Sequence, residues 1–316
     1  MKFMKTLFKN RIELLCLILL MGCAGKGTTQ GGVGGTPQAF TLPTIPDALT
    51  EVGDRANYLV EHYWDNFDFG DTASVHLPEI TEQAFVDYID VLPHAEPSVA
   101  ATSIQNLLTE AEVEPTGAML RYFLELASKY LYDSNSPMRN ENMYIPVAQY
   151  LVESTSPLLT IAEKEPAKYR LTMMQKNRVG TQAADFTYHT QPSGTRGTLH
   201  AIKSEYTLVL FYNPECHTCT TTISALKDLE ILGSLQRSGR LKVLAFYPDN
   251  KLALWTKKMP EIPSTWLNGY DKNLVVETAR LYDLKAIPTI YLLDKQKTVI
   301  LKEASVEQVA QFLTQL

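Results

Sequence analysis

Three short apolar and aromatic runs in the last third of the chain constrain its fold most strongly. They are Tyr206–Tyr212 (YTLVLFY), Leu241–Tyr247 (LKVLAFY) and Thr289–Leu293 (TIYLL). Short runs with little polar alternation are typical of strands that are covered on both faces. Helical patterns separate these runs, and strands that alternate with helices indicate an α/β sheet.

The same part of the chain contains further predicted elements. The helices are Thr220–Leu232, Leu252–Met259, Leu274–Tyr282 and Val306–Leu316, and a last strand is Thr298–Lys302. We therefore predict that residues 179–316 form a central mixed sheet flanked by helices.

Residues 40–178 have a different period and predict an α-helical N-terminal domain. Their apolar residues recur at helical spacing, first in a stripe from Leu49 to Tyr63. Prolines punctuate this region, and Pro146 and Pro166 fall inside two of the apolar runs. The further predicted helices are Ile80–Val91, Val99–Ala111, Met119–Leu131, Ile145–Val152 and Leu158–Met174.

The first 22 residues follow the plan of an export signal. A positive start precedes the apolar stretch Leu14–Met21, which is too short for a bilayer core that needs about 20 residues. The segment ends in Leu20-Met21-Gly22-Cys23, which resembles a bacterial lipobox and predicts a lipid on Cys23. The alternative is an ordinary signal peptide in which this cysteine is incidental.

Residues 23–39 are rich in Gly, Thr and Gln and predict a flexible linker of roughly 20 Å. We therefore expect a membrane-anchored lipoprotein outside the cytoplasm that faces the periplasm. The net charge is −6, and without the positive leader it is more negative still. An acidic chain without a basic run has no electrostatic footprint for nucleic acid.

The cysteines are the most informative residues for function. Of the four, Cys16 lies in the predicted signal segment and Cys23 is the predicted lipid carrier, which leaves Cys216 and Cys219. Two thiols separated by two residues exclude a structural disulfide framework.

The CHTC motif lies where the first strand passes into a helix. A helix N-terminus favours a thiolate, so we expect Cys216 to be the nucleophile and Cys219 to be the resolving thiol. Pro214, Glu215 and His217 flank the pair as candidate supporting residues, and a protonated His217 would stabilise the Cys216 thiolate.

Three segments resemble the thioredoxin-like superfamily, in particular the membrane-tethered thiol–disulfide oxidoreductases of bacteria. They are Leu208–Cys219 (LVLFYNPECHTC), Ala286-Ile287-Pro288-Thr289 and Ala184-Asp185-Phe186-Thr187. The resemblance covers residues 179–316 and implies that Pro288 is cis beside the dithiol, while Ile287 offers its backbone to a substrate peptide. It also implies client proteins with disulfides, a separate redox partner that resets the dithiol, and no cofactor, because sulfur carries both electrons.

The motif departs from thioredoxin in three places. His217 and Thr218 replace Gly-Pro, Glu215 replaces Trp, and the apolar Leu210 stands where thioredoxin has a buried acid. The proton acceptor for Cys219 therefore remains open between Glu215 and a water molecule.

The helical part resembles an uncharacterised domain that precedes thioredoxin-like domains in some bacterial lipoproteins. The segments that carry this resemblance are His62–Phe69 (HYWDNFDF) and Asn135–Glu141 (NSPMRNE). It implies an architecture and no activity. We interpret Trp64, Phe67 and Phe69 as core residues at the end of a helix.

Several alternatives compete with the redox interpretation. Half of a zinc site would need a second ligand pair, which the sequence lacks outside scattered histidines. A binding or scaffold lipoprotein would carry a vestigial dithiol. A peroxidase of the same superfamily would need Thr where Asn213 stands, and a calcium loop at Asp65, Asp68 and Asp71 would lack its Gly and final Glu. His189 and His200 are expected at the surface near the entry hairpin.

Overall fold

The computed structural model describes residues 39–191 and 194–316, of which residues 40–316 form one compact unit. The predicted signal segment, the predicted lipidation site Cys23 and the predicted linker up to residue 38 lie outside the described residues. None of the described helices combines the length and the hydropathy that are needed to cross a lipid bilayer.

Residues 52–174 are built from helices, as the sequence predicts. The α-helices are α1 (Val52–His62), α2 (Thr81–Val91), α3 (Pro97–Glu110), α4 (Ala118–Ala127), α5 (Glu141–Glu153) and α6 (Ile161–Met174). A π-helical turn, Ser128–Tyr132, extends α4. Pro146 and Pro166 lie inside α5 and α6, near the start of each helix.

Aromatic side chains fill the core of the helical part. Trp64, just after α1, stacks edge-on against Phe123 of α4 with ring centroids 5.1 Å apart, and Phe69 lies 5.9 Å from the same ring. This packing confirms the core interpretation of the aromatic run. Two acids in and just after this run accept local backbone hydrogen bonds. Asp68 accepts from the N–H of Gly70, and Asp71 accepts from the N–H of Ala73.

Residues 187–314 form a seven-stranded mixed sheet with helices on its faces, which confirms the predicted α/β class. The strands are β1 (Thr187–His189), β2 (Arg196–Thr198), β3 (Tyr206–Phe211), β4 (Leu241–Tyr247), β5 (Leu267–Tyr270), β6 (Thr289–Leu293) and β7 (Val299–Lys302). The helices are α7 (His217–Lys227), α8 (Glu230–Arg237), α9 (Leu252–Lys258), α10 (Val275–Thr278) and α11 (Val306–Thr314).

The strand order is β2-β1-β5-β4-β3-β6-β7. The central strand β3 runs parallel to β4 and antiparallel to β6. Leu208 and Leu210 of β3 belong to the core on one face of the sheet, while Val209 and Phe211 belong to the core on the other. Burial on both faces explains why the run contains no polar alternation.

The structure corrects several sequence predictions. The single helix predicted over residues 220–232 is two helices, α7 and α8, because Leu229 adopts an extended conformation between them. The helix predicted over residues 274–282 is the single turn α10, followed by a loop that buries the ring of Tyr282 against Phe186 and Phe211. Strand β5 has no counterpart among the predicted elements.

The two histidines expected at the surface are only partly exposed. His200 hydrogen-bonds through Nε2 to the carbonyl of Ala183 at 2.8 Å. His189 lies on β1, with its ring centroid 5.9 Å from that of Tyr270. His200 therefore contacts the segment that enters the sheet, whereas His189 lies against β5.

The segment that follows the helices runs along the outer side of β7. The backbone N–H of Gly180 donates to the carbonyl of Val299, and the N–H of Val299 donates to the carbonyl of Thr181, both at 2.8 Å. The N–H of Ala183 donates to the carbonyl of Lys297 at 2.9 Å. This pairing covers the sheet edge at the first residue of β7 and the turn before it.

Candidate active site at Cys216 and Cys219

The turn after β3 delivers both cysteines to one edge of the sheet. Asn213 closes this turn: its side-chain oxygen accepts from the N–H of Glu215 at 2.9 Å, and its carbonyl accepts from the N–H of Cys216 at 3.0 Å. Asparagine side chains favour such turns because they imitate a backbone acceptor. Cys216 thereby becomes the N-cap of α7, in an extended conformation.

Cys216 uses its sulfur as the helix cap. Its Sγ accepts a hydrogen bond from the backbone N–H of Cys219 at 3.2 Å, and the side chain is partly exposed. Unpaired N–H groups and the helix dipole favour negative charge at this position. The predicted placement of Cys216 at a helix N-terminus is therefore what the structure shows.

Cys219 occupies a very different environment one helical turn along. Its side chain is buried, and the backbone N–H of Asn213 donates to its Sγ at 3.5 Å. The pKa of the Cys219 thiol is raised to about 12, mainly by burial; the Asn213 N–H lowers it and the neighbouring Cys216 raises it. Both cysteines are free thiols, of which Cys219 stays protonated at neutral pH.

A proline loop approaches the sulfurs from the adjacent strand. The peptide bond between Ile287 and Pro288 is cis, as the resemblance implies, and the Cys216 thiol donates to the carbonyl of Ile287 at 3.6 Å. Phe211 at the end of β3 is paired with Thr289 at the start of β6. This register is the reason why residues 71 positions apart meet.

The candidate supporting residues are placed unequally around the thiols. Pro214 is buried and lines a cavity beside Cys219, whereas Glu215 and His217 are exposed. Within the described chain, no hydrogen bond links the side chain of either exposed residue to a sulfur. Their supporting role stays a prediction.

A cavity of about 130 Å³ adjoins Cys219, and Ile287 is not part of its lining. Its lining includes Lys258 and Glu261, which form an ion pair of 2.8 Å at the end of α9. A volume of this size accommodates several water molecules. Sequence reasoning missed both residues, because they follow no motif and reach the site only through the fold.

The floor of the site is polar without being acidic. The Tyr212 hydroxyl donates to the side-chain oxygen of Asn268 at 2.9 Å and accepts from the Trp255 indole at 2.9 Å. Leu210, at the position of thioredoxin's buried acid, is fully buried in the apolar core. Strand β3 therefore supplies no carboxylate beneath Cys219.

The fold and this site define a thioredoxin-like protein. A solved thioredoxin-like protein from Bacteroides caccae is 46% identical, with alignment over 88% of this chain and 99% of that one and a TM-score of 0.83. This chain belongs to the thioredoxin-like proteins. No curated protein matches it.

Further comparisons match parts of the chain. Residues 23–177 match the model of a domain of unknown function, DUF5106. The C-terminal domain of an uncharacterized Bacteroides fragilis protein is 47% identical over 44% of this chain and 98% of that one, with a TM-score of 0.43. A conserved B. fragilis protein of unknown function is 38% identical over 43% and 98%, with a TM-score of 0.42.

Proposed function

We propose that this chain is a protein thiol–disulfide oxidoreductase that acts through Cys216 and Cys219. The observation that carries the proposal is the asymmetry of the two thiols. One is partly exposed at a helix N-cap beside the proline loop, and the other is buried and protonated behind it. An exposed nucleophile followed by a shielded resolving thiol is the arrangement that disulfide exchange requires.

The reaction proceeds in two exchanges. The Cys216 thiolate attacks one sulfur of a client disulfide, that S–S bond breaks, and the released client thiolate takes a proton. Cys219 then loses its proton and attacks Cys216 in the mixed disulfide, which forms the Cys216–Cys219 bond and releases the second client thiol. The client gains two electrons, and an external dithiol protein must return two electrons to the chain.

The proton of Cys219 needs an acceptor in the second exchange. We assign this role to water in the cavity beside Cys219, with the Glu261 carboxylate at its rim as the next acceptor. Glu215 is the less suitable group, because it does not line this cavity. Extended pairing of a client peptide with the backbone of Ile287 completes the proposed complex.

The cellular setting is also a proposal. Residues 1–23 favour export and a lipid on Cys23, and the linker to residue 39 would hold the enzyme near a periplasm-facing membrane surface.

Two cysteine variants test the proposal. Cys216→Ser should abolish insulin-disulfide reduction, while Thr221→Ser on the exposed side of the same helix should leave it unchanged. Cys219→Ser should accumulate mixed disulfides with client proteins, because the second exchange is blocked. Full activity of Cys216→Ser would contradict the enzyme. Absence of trapped clients would favour the alternative, a scaffold with a vestigial dithiol.

A further inference from the structure

The segment Asn135–Glu141 is one of the two segments by which the helical part resembles an uncharacterised domain. It contacts residues that lead into the proline loop. Two of its side chains reach across to the sheet. The Arg139 guanidinium pairs with the Glu303 carboxylate just after β7. Glu141 accepts from the Lys302 ammonium at 2.6 Å and lies 3.8 Å from Lys285.

Together with Asp283, these residues form a cluster of three cations and three carboxylates with little exposure. Lys302 is 7% exposed and Glu303 is 9% exposed. Charges buried to this extent are stable only when they are paired, and removing one partner leaves the other uncompensated. We call this set the junction cluster: Arg139, Glu141, Asp283, Lys285, Lys302 and Glu303.

Lys285 occupies the centre of the junction cluster. Its ammonium is 2.8 Å from Asp283, 3.5 Å from Glu303 and 3.8 Å from Glu141. Glu141, Asp283 and Glu303 are the one group of three potential metal ligands in the described residues. Because a lysine ammonium already lies among their oxygens, we assign the group to Lys285.

The ends of two helices also stabilise charges of the junction cluster. Glu141 is the first residue of α5, where the helix dipole favours an anion. Lys302 also donates to the carbonyls of Met174 at 3.0 Å and Lys176 at 2.9 Å, at the C-terminal end of α6. Helix carbonyls at that end favour a cation.

Two further contacts tie the helices to the loop before Pro288. The side chain of Asn177 donates to the carbonyl of Leu281 at 2.8 Å, and the Lys176 ammonium donates to that of Arg280. Asn177, Arg280 and Glu303 have φ angles of 49°, 49° and 51°, in the left-handed region that side chains disfavour. Such conformations persist where surrounding contacts hold them.

Lys285 is two residues before Ile287, whose carbonyl contacts Cys216. We propose that the helical part positions the proline loop of the redox site, with Glu141 and Arg139 as positioning residues that act through Lys285 and Glu303. The inference rests on the proposed function, and it assigns a role to the Asn135–Glu141 segment.

The decisive variant is Glu141→Gln in the full chain. Loss of the carboxylate should raise backbone hydrogen exchange in residues 281–287 by roughly tenfold, the size of a typical coupling between two sites. The KM for a peptide disulfide should rise by a similar factor, because that substrate pairs with Ile287. Reduction of the small disulfide cystamine should stay at the wild-type rate, because it needs no backbone pairing.

Glu82→Gln is the matched control. Glu82 also pairs with a lysine, Lys129 at 2.5 Å, and its side chain is 21% exposed against 17% for Glu141, but the pair lies wholly within the helical part. It should leave loop exchange and KM unchanged. Arg139→Lys, which keeps the charge and loses the planar fork, gives a milder test if Glu141→Gln folds poorly.

Equal loop exchange in Glu141→Gln and Glu82→Gln would overturn the proposal, as would parallel losses with cystamine and the peptide. Hydrogen exchange requires no catalysis. A wild-type chain without reductase activity would therefore refute the proposed function, while the exchange result would still decide whether the helices hold the loop.

Discussion

The helical part and the sheet part of this molecule both bury apolar cores, but they differ in the space that they leave beside them. In the helical part the interior is nearly solid: the cavity among its aromatic and aliphatic core residues is only about 10 Å³. Some of its buried polar groups pair with one another: the Tyr88 hydroxyl lies 2.7 Å from that of Ser103, which donates to the carbonyl of Val60 at 2.6 Å.

The sheet part leaves more space beside its core. A cavity of about 610 Å³ adjoins Trp266 and Asn268, and another of about 130 Å³ adjoins a buried thiol, where a partly exposed thiol caps a helix. The comparison teaches that the candidate chemistry lies beside the sheet, at the cavity that adjoins Cys219. The helical part contributes to it through the charged groups at its boundary.

The largest expected effect tests the closed interior of the helical part. Phe123→Ala removes a fully buried ring that contacts Trp64, Phe67 and Phe69, and should lower the free energy of unfolding by about 3–5 kcal/mol. Denaturant titration measures this loss. Under native conditions the alkylation rate of Cys216 should stay at the wild-type value, and a loss below about 1 kcal/mol would show that the core rearranges easily.

A smaller effect tests the close approach of β1 and β5 in the sheet part. A Cβ on Gly269 would lie 2.9 Å from the Cβ of Tyr188, so Gly269→Ala should destabilise the chain by about 1–3 kcal/mol. Gly233→Ala is the control, because it lies in α8 and meets only the flexible end of Arg237. It should stabilise by about 0.5–1 kcal/mol in the same thermal or denaturant unfolding, since alanine favours helix. Equal effects of both variants would contradict the close approach.

The smallest effect sharpens the difference between the two thiols. The ordinary pKa of 9.0 for a thiol is raised to about 12 for Cys219 by burial, so the unfolded chain releases this proton first. The stability of the reduced protein should therefore fall as pH rises from 8 to 10, with a contribution from this thiol of about 1 kcal/mol at pH 10. The measurement is denaturant unfolding under excess reductant.

Cys219→Ser is the comparison for this pH dependence. The stability of this variant should fall less between pH 8 and pH 10, because a serine hydroxyl does not ionise in this range. An identical pH dependence in the two proteins would mean that Cys219 is accessible to solvent in the folded state.

Sequence patterns predicted the parts of the fold that local physics determines. Strands β3, β4 and β6 could be predicted because burial on both faces of the sheet requires continuous apolar runs in the sequence. Strand β5 (LNGY) could not be predicted, because Asn268 and Gly269 have low strand propensity. Asn268 accepts a hydrogen bond from the Tyr212 hydroxyl, and Gly269 allows the Tyr188 side chain to approach closely.

The candidate site divides in the same way. The motifs predicted the dithiol, its place at a helix start and the cis peptide before Pro288. Glu261 beside Cys219 and the pairing of Glu141 with Lys302 join residues distant in sequence, and no local period marks them. His189 and His200 lie at the entry hairpin, where the sequence places them, and each is partly exposed.

The pairing of residues 180–183 with β7 determines where the two parts of the chain can be separated. A cut before Gly180 leaves the outer strand of the sheet with a partner of its own. A cut after Ala183 strips that partner away and exposes the N–H of Val299 and the carbonyls of Lys297 and Val299. An uncovered strand of this kind is a template for aggregation, so the first residues after the helices protect the sheet's solubility.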